Sequence, residues 1–210
     1  MKTPARKMKP SAVKNICLFA SVKSEKGKIH RVESLLEKDF CYHLDFAKNV
    51  LDFETQPETF SLFDEVTKKY NRYTPDFLVH FSDGKKVYFE VKPRSENLKK
   101  AYMAKLDLFR EYCDIRGYTF EIVTRDEISQ KPLVQNFQLL HKYLRAGIEK
   151  PDLRLLEALK SQHPSGTNFQ KIVQALNPSQ LVEIYKLLAV SLLKFDMETI
   201  YIADNPEVAL

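Results

Sequence analysis

The sequence contains few of the residues on which small secreted proteins and zinc-binding domains depend. There are only three cysteines among 210 residues, and Cys17, Cys41 and Cys113 lie far apart with no CxxC pair. This spacing argues against a disulfide framework and against structural zinc. The five histidines show no spacing typical of metal ligands either.

Long hydrophobic segments are absent as well. No apolar run approaches the length that crosses a bilayer, and the N-terminus lacks the apolar core of a signal peptide. We therefore expect a soluble, intracellular protein with no membrane association. The 210 residues are enough for one domain of moderate size and a small second one.

Positive charge is concentrated at the N-terminus. The net charge is +5, but residues 1–28 hold eight basic residues against Glu25 alone, so this arm carries +7 and the rest of the chain −2. Such an arm is a common way to hold nucleic-acid phosphates, with Lys7, Lys9 and Lys14 as candidate DNA contacts. A tail that only keeps the protein soluble explains the charge equally well, and both interpretations stay open.

A β-hairpin is the clearest structural prediction. Residues 73–81 and 86–92 are rich in aromatic and β-branched residues, which favours two strands. Ser82-Asp83-Gly84 between them is typical of a tight turn. Because Pro75 has no amide hydrogen to donate, the first strand is expected to begin or bulge there.

Asp76, Glu90 and Lys92 are expected to meet at one end of this hairpin. Side chains alternate along a strand, so Glu90 and Lys92 share the face opposite Phe89 and its apolar neighbours. Two carboxylates suit Mg²⁺, for which Mn²⁺ can substitute, and the Val91 carbonyl could add a third oxygen. The ion would activate a water against a phosphodiester, and Lys92 would orient that water or stabilise the developing charge. Alternation of charged and apolar residues is also what any half-exposed strand shows, and the pattern alone is weak.

A helix upstream supplies a further acidic residue. Apolar spacing predicts a helix from Ser34 to about Ala47. Glu37 is the fourth residue of a Ser-x-x-Glu capping box, in which its side chain would return to the Ser34 amide. Alternatively Glu37 is a third metal-site carboxylate, and Glu33 is a second candidate. Spacing alone favours the cap.

A second helix and strand complete an α/β arrangement. Residues 97–116 predict a helix with a buried stripe that includes Tyr102, and residues 118–123 predict a strand. Lys99 and Lys100 lie largely off that stripe, where they could flank DNA, although a solvated charged face is the default.

The remaining chain is predicted to be helical. Helices are expected at residues 134–145, 151–161, 169–176 and 178–195, the last two close enough for a helix-turn-helix. Residues 199–202 could be a wing strand. The domains are then a basic arm with the first strand (1–28), an α/β domain (29–130) and a helical, winged-helix-like domain (131–210).

Four short blocks follow one another in a fixed order and spacing between about residues 30 and 125. They are Ser34-Leu35-Leu36-Glu37-Lys38-Asp39-Phe40, Gln56-Pro57, Tyr73-Thr74-Pro75-Asp76-Phe77 and Glu90-Val91-Lys92-Pro93. This combination resembles the TnsA family, the endonuclease subunits of heteromeric bacterial transposases. One departure is that the best-known form of the family has Gln where this chain has Glu90.

The resemblance implies a fold, a site and partners. The fold would be a restriction-endonuclease-like mixed sheet flanked by helices, with a winged-helix-like C-terminal domain. Glu37, Asp76, Glu90 and Lys92 would be the catalytic set, which shifts the interpretation of Glu37 from cap to catalytic carboxylate. Gln56-Pro57 belongs to the same pattern, and because proline removes a ladder donor we expect a loop or strand edge there rather than a substrate contact.

The implied reaction is Mg²⁺-dependent hydrolysis of the 5′ strands at transposon ends in the bacterial cytoplasm. A TnsB-like DDE transposase would cut and join the 3′ ends, and a TnsC-like ATPase would be a further partner. The alternatives are a stand-alone repair or restriction nuclease that uses the same site, and a non-catalytic assembly subunit.

Overall fold

A computed structural model describes residues 16–24, 29–94, 100–178 and 180–210. Contacts divide the chain into an N-terminal unit that ends at Ser129 and a C-terminal unit, Gln130–Leu210. Residues 1–15 and 25–28 of the predicted basic arm lie outside the described residues, as do four of the candidate DNA contacts, Lys7, Lys9, Lys14 and Lys99. No helix in the described ranges is long and apolar enough to cross a membrane.

The N-terminal unit is built around a mixed sheet. Its elements, in chain order, are β1 (Cys17–Phe19), β2 (His30–Val32), α1 (Leu35–Phe46), β3 (Val50–Thr55), β4 (Phe60–Asp64), β5 (Lys69–Tyr73), β6 (Phe77–Phe81), β7 (Lys86–Lys92), α2 (Lys100–Arg116), β8 (Thr119–Thr124) and α3 (Arg125–Ile128). The sheet has the order β3-β6-β7-β8. Pairings β3/β6 and β6/β7 are antiparallel, whereas β7 and β8 are parallel. The sheet is therefore mixed, as the resemblance implied.

The sheet separates two hydrophobic layers. On one side α1 packs through Leu36 and Phe40 against Phe89 and Val91 of β7. Phe109 and other residues of α2 form the other layer, together with Tyr88 of β7 and the β4–β5 hairpin. Because neighbouring residues of β7 enter opposite layers, the predicted alternation along this strand is confirmed.

The first predicted strand of the hairpin is interrupted around Pro75, as expected, but Tyr73 and Thr74 do not belong to it. Residues 73–81 do not form one strand, because Tyr73 ends β5, which pairs with β4, and β6 begins only at Phe77. The break follows from Pro75, which cannot donate to a ladder. The β4–β5 hairpin itself was not predicted.

Helix α2 begins at Lys100 in the described part of the chain, so the predicted start at residue 97 lies outside it. Its end is as expected, since Gly117 has a φ of +68°. The Tyr118 amide donates to the Cys113 carbonyl at 2.9 Å and the Gly117 amide to the Asp114 carbonyl at 3.3 Å. This is the double hydrogen bond of a Schellman motif, and it turns the chain into β8.

The C-terminal unit is mainly helical. It contains α4 (Leu133–Leu144), α5 (Lys150–Gln162), β9 (Thr167–Asn168), α6 (Phe169–Ala175), α7 (Gln180–Ala189) and β10 (Glu207–Val208). The predicted wing strand at residues 199–202 is wrong. Ile202 begins a short 3₁₀ turn instead, and β10 pairs with β9. The winged-helix assignment stays a prediction.

Asn136 ties α4 to the chain after α7. Its side-chain amide donates to the carbonyls of Met197 and Ile200, both at 2.9 Å, and its oxygen accepts from the Ile202 amide at 3.1 Å. Asn136 is fully buried. An apolar side chain here would leave three backbone groups without a partner.

We expect Asn136→Ala to lower the free energy of unfolding of the C-terminal unit by about 2–4 kcal/mol, because buried polar groups left unpaired cost about 1–3 kcal/mol each. Urea unfolding followed by circular dichroism measures the change. Gln135→Ala, at the exposed neighbouring position, is the control and should have little effect. Equal stability of the two variants would contradict the proposed role of Asn136.

Candidate active site

Asp76 is held at the junction between β5 and β6 by backbone contacts. The Gln56 amide donates to the Asp76 carbonyl at 2.8 Å, and the Val91 amide donates to Asp76 Oδ2 at 2.8 Å. Gln56 is buried and has a positive φ of 46°, which turns the chain at the end of β3. The prediction that Gln56 lies at a strand edge or loop agrees with this position. Its amide contact with Asp76 was not foreseen.

Glu90 and Lys92 point to the same side of β7 and touch. Lys92 Nζ lies 2.6 Å from Glu90 Oε1 and 3.9 Å from Asp76 Oδ2. The structure therefore brings together the three residues that the sequence predicted to meet.

Two tyrosines that the sequence did not single out as functional complete the surroundings of Glu90. Tyr73 donates its hydroxyl hydrogen to Glu90 Oε2 at 2.7 Å, and Tyr102 donates to Oε1. The Lys92 ammonium also lies over the Tyr102 ring, 4.9 Å from its centre. The sequence predicted Tyr73 as part of a strand and Tyr102 as part of the buried stripe of a helix. Neither the strand pattern nor the helical pattern indicates the direction of a tyrosine hydroxyl.

Glu37 is part of the cap of α1. Ser34 Oγ accepts from the Glu37 amide at 3.1 Å and donates to Glu37 Oε1 at 2.8 Å. The other carboxylate oxygen accepts from the Glu33 amide at 2.8 Å, rather than from the Ser34 amide that was predicted. Whether Glu37 is also catalytic stays a prediction, although it is close enough to change the pKa of Asp76.

The site carries more negative than positive charge. With Glu37, Asp76 and Glu90 ionised and Lys92 protonated, its formal charge is −2. Burial, and next the charges of Glu90 and Glu37, raise the pKa of Asp76 well above its ordinary value, against the lowering effects of Lys92 and the Val91 amide. Burial also raises the pKa of Glu37.

The pKa values of Lys92 and of the two tyrosines are raised as well. Burial alone would lower the pKa of Lys92, but the charges of Asp76 and Glu90 outweigh it and raise this pKa. Burial and then Glu90 raise the pKa of Tyr73 and Tyr102, so both phenols stay protonated as donors.

The oxygen donors fit a hard divalent cation in part. Asp76 is the best placed, because Oδ2 is fixed by the Val91 amide and Oδ1 has no hydrogen bond among the described residues. Within those residues, no three acidic, histidine or cysteine side chains are grouped as a complete metal site. The reason is that Glu37 faces its own cap, and Glu90 accepts from two phenols and an ammonium. Backbone carbonyls such as that of Val91 and water would have to supply further ligands.

Lys100, the one candidate DNA contact within the described residues, is exposed at the start of α2. The remaining candidates lie outside those residues. The structure therefore leaves the predicted DNA contacts as predictions.

A mixed sheet flanked by helices, with Asp76, Glu90 and Lys92 gathered at the end of two adjacent strands, fits the restriction-endonuclease-like class of folds. Residues 47–125 match a family model described as "TnsA-like endonuclease N terminal". This match shows that the segment is similar to TnsA-like endonuclease domains and suggests a nuclease related to transposase subunits. The matched segment contains Asp76, Glu90 and Lys92 but begins after Glu37. Comparison with curated proteins gave no match.

We expect Asp76→Asn to stabilise the metal-free protein at pH 7–8. Folding raises the pKa of the Asp76 carboxyl, so the protein loses stability as the pH rises from the unfolded-state pKa through the folded-state pKa. The loss is about 1.4 kcal/mol per unit of pKa difference. Asparagine keeps an oxygen for the Val91 amide without the charge. Thermal unfolding in EDTA measures the effect, and Asp107→Asn on the exposed face of α2 is the control. A lower melting temperature for Asp76→Asn would contradict the charge imbalance.

Proposed function

We propose that this chain is a Mg²⁺-dependent DNA endonuclease that cleaves the 5′ strands at transposon ends. The observation that carries the proposal is the position of Lys92, whose ammonium lies 2.6 Å from Glu90 and 3.9 Å from Asp76 in a segment that matches an endonuclease family. A carboxylate beside an ammonium at the end of two strands suits hydrolysis of a phosphodiester.

Each residue has a distinct part in the proposed reaction. Asp76 would hold the cation through its open Oδ1 atom, and Glu37 is near enough to add negative charge. The cation, when bound, would lower the pKa of a water and offset charge on the phosphate. Lys92 keeps its proton at the site because its pKa is raised. It would therefore donate hydrogen bonds to the attacking water or to the phosphate oxygens as negative charge develops.

The products follow from the chemistry. Water attacks phosphorus, the bond to the 3′ oxygen breaks, and that oxygen takes a proton, which leaves a 5′ phosphate and a 3′ hydroxyl. The similarity of residues 47–125 to TnsA-like endonucleases supports DNA and other transposition proteins as partners. We propose a TnsB-like transposase for the 3′ strands and a TnsC-like ATPase as regulator.

The C-terminal unit is proposed to be a winged-helix-like module that engages those partners. Its helix α7 is largely apolar, and Lys186, the single basic residue of this helix, forms a buried ion pair of 2.5 Å with Asp152. An apolar helix with its charge directed inwards suits packing or protein contacts better than the reading of DNA.

Purified chain, its transposase partner, transposon-end DNA and Mg²⁺ provide the test. We expect Asp76→Ala to abolish 5′-strand nicks while 3′-strand cleavage continues, because the cation would lose its principal ligand. Nicks are mapped on end-labelled strands. Equal nicking by Asp76→Ala and the parent would refute the active site. Cleavage of DNA by the chain alone would favour the stand-alone nuclease, and intact transposition with Asp76→Ala would favour an assembly subunit.

Lys92→Ala should lower the 5′-nicking rate by about 10²-fold or more, the usual effect of losing one group that stabilises developing charge. Lys86→Ala, at the exposed start of the same strand, is the matched control and should nick at the parental rate. Calorimetric titration with Mn²⁺ should show that Lys92→Ala still binds metal. A nicking rate within twofold of the control would contradict the role of Lys92.

A further inference from the structure

Glu90 is a buried carboxylate whose hydrogen-bond donors come from two other elements. It is 2% exposed. Tyr73, at the end of β5, donates to one oxygen, and Tyr102, in the first turns of α2, donates to the other. An ionised carboxylate removed from water needs such partners, because burial of an unpaired charge is costly.

These contacts also determine where Lys92 lies. Lys92 binds the same oxygen, Oε1, that accepts from Tyr102, and its ammonium lies against the Tyr102 ring. If the Glu90 carboxylate rotated, Oε1 would move and Lys92 would lose the contact that keeps it beside Asp76. The two phenols prevent that rotation, since each one fixes a different oxygen.

The ring of Tyr73 has a separate role from its hydroxyl. The ring packs on Phe109, with centroids 4.5 Å apart, within the hydrophobic layer under α2. Phenylalanine would preserve that packing. The hydroxyl is therefore not needed to fill the core, and its contact with Glu90 is the property that distinguishes tyrosine here.

We propose that Tyr73 and Tyr102 are positioning residues of the nuclease site, whose hydroxyls fix the Glu90 carboxylate and, through it, the Lys92 ammonium beside Asp76. This inference rests on the proposed function. It assigns Glu90 chiefly to the placement of Lys92, in addition to the metal-ligand role predicted from the sequence.

The test uses Tyr73→Phe, Tyr102→Phe and the double variant in the full chain. Tyr88→Phe is the matched control, because Tyr88 lies on β7 and donates to a different carboxylate, Glu58, at 2.8 Å. With the transposase partner and Mg²⁺, the double variant should reduce the turnover rate for 5′ nicking by about 10-fold or more, the usual effect of losing groups that orient a catalytic residue. The DNA concentration for half-maximal rate should stay unchanged, as should the rate of Tyr88→Phe.

A second measurement needs no nuclease activity. Lys92 is labelled with a trace of amine-reactive reagent in the absence of metal, and its labelling rate is read by peptide mass spectrometry relative to exposed Lys86. We expect several-fold faster labelling of Lys92 in the double variant, because its ammonium is no longer fixed, and no change in Tyr88→Phe. Equal Lys92 labelling in all proteins would overturn the proposal.

The two measurements separate the possible failures. If the parent chain nicks no DNA but labelling of Lys92 rises in the double variant, the proposed nuclease function fails and the positioning contact stands. If the parent nicks DNA and the double variant does so at the same rate, the positioning role is wrong and the nuclease function stands. A melting temperature no lower than that of Tyr88→Phe shows that the variants are folded.

Discussion

The candidate site depends on one hydrogen bond, from the Val91 amide to Asp76 Oδ2. Pro75 interrupts the strand pairing before β6, because proline has no amide hydrogen to donate. Asp76, the next residue, therefore directs its side chain rather than its backbone towards β7. The carboxylate then takes the place of a main-chain acceptor beside the strand that carries Glu90 and Lys92. The proline break, the register of β6 on β7 and the position of Asp76 are therefore parts of the same arrangement.

This arrangement places more negative than positive charge at the candidate site. Three carboxylates lie near a single ammonium. Burial and then the charges of Glu90 and Glu37 raise the pKa of Asp76, and burial raises the pKa of Glu37. A fold selected only for stability would gain from replacing such groups by apolar residues. Retained acidic residues whose pKa values are perturbed by burial and by one another are typical of functional sites. The charge imbalance and the match of residues 47–125 to an endonuclease family both favour the interpretation of this cluster as a functional site.

The sequence predicted the parts of the site that depend on local periodicity. The alternation in β7 placed Glu90 and Lys92 on one side, and the Asp-Gly turn fixed the hairpin that brings Asp76 to them. The β4–β5 hairpin was missed, and with it the fact that Tyr73 ends a strand of its own. The contacts of Tyr73 and Tyr102 with Glu90 could not be predicted, because they join elements whose relative placement is set by packing around Phe109. The error at residues 199–202 has a similar origin, since a short apolar segment does not reveal whether it pairs.

Tyr73 belongs at once to the hydrophobic layer through its ring and to the polar site through its oxygen. Few amino acids combine an apolar ring with a hydroxyl group. We therefore expect fewer residue types to be tolerated at position 73 than at a purely apolar or a purely polar position. The same reasoning extends to its neighbours in the layer. A substitution at Phe109 that shifts the Tyr73 ring would also move the hydroxyl that contacts Glu90, and would alter the candidate site without changing a charged group. Substitutions in the hydrophobic layer under α2 would then be coupled to the proposed activity. A redesign of that layer would have to keep the Tyr73 hydroxyl in contact with Glu90.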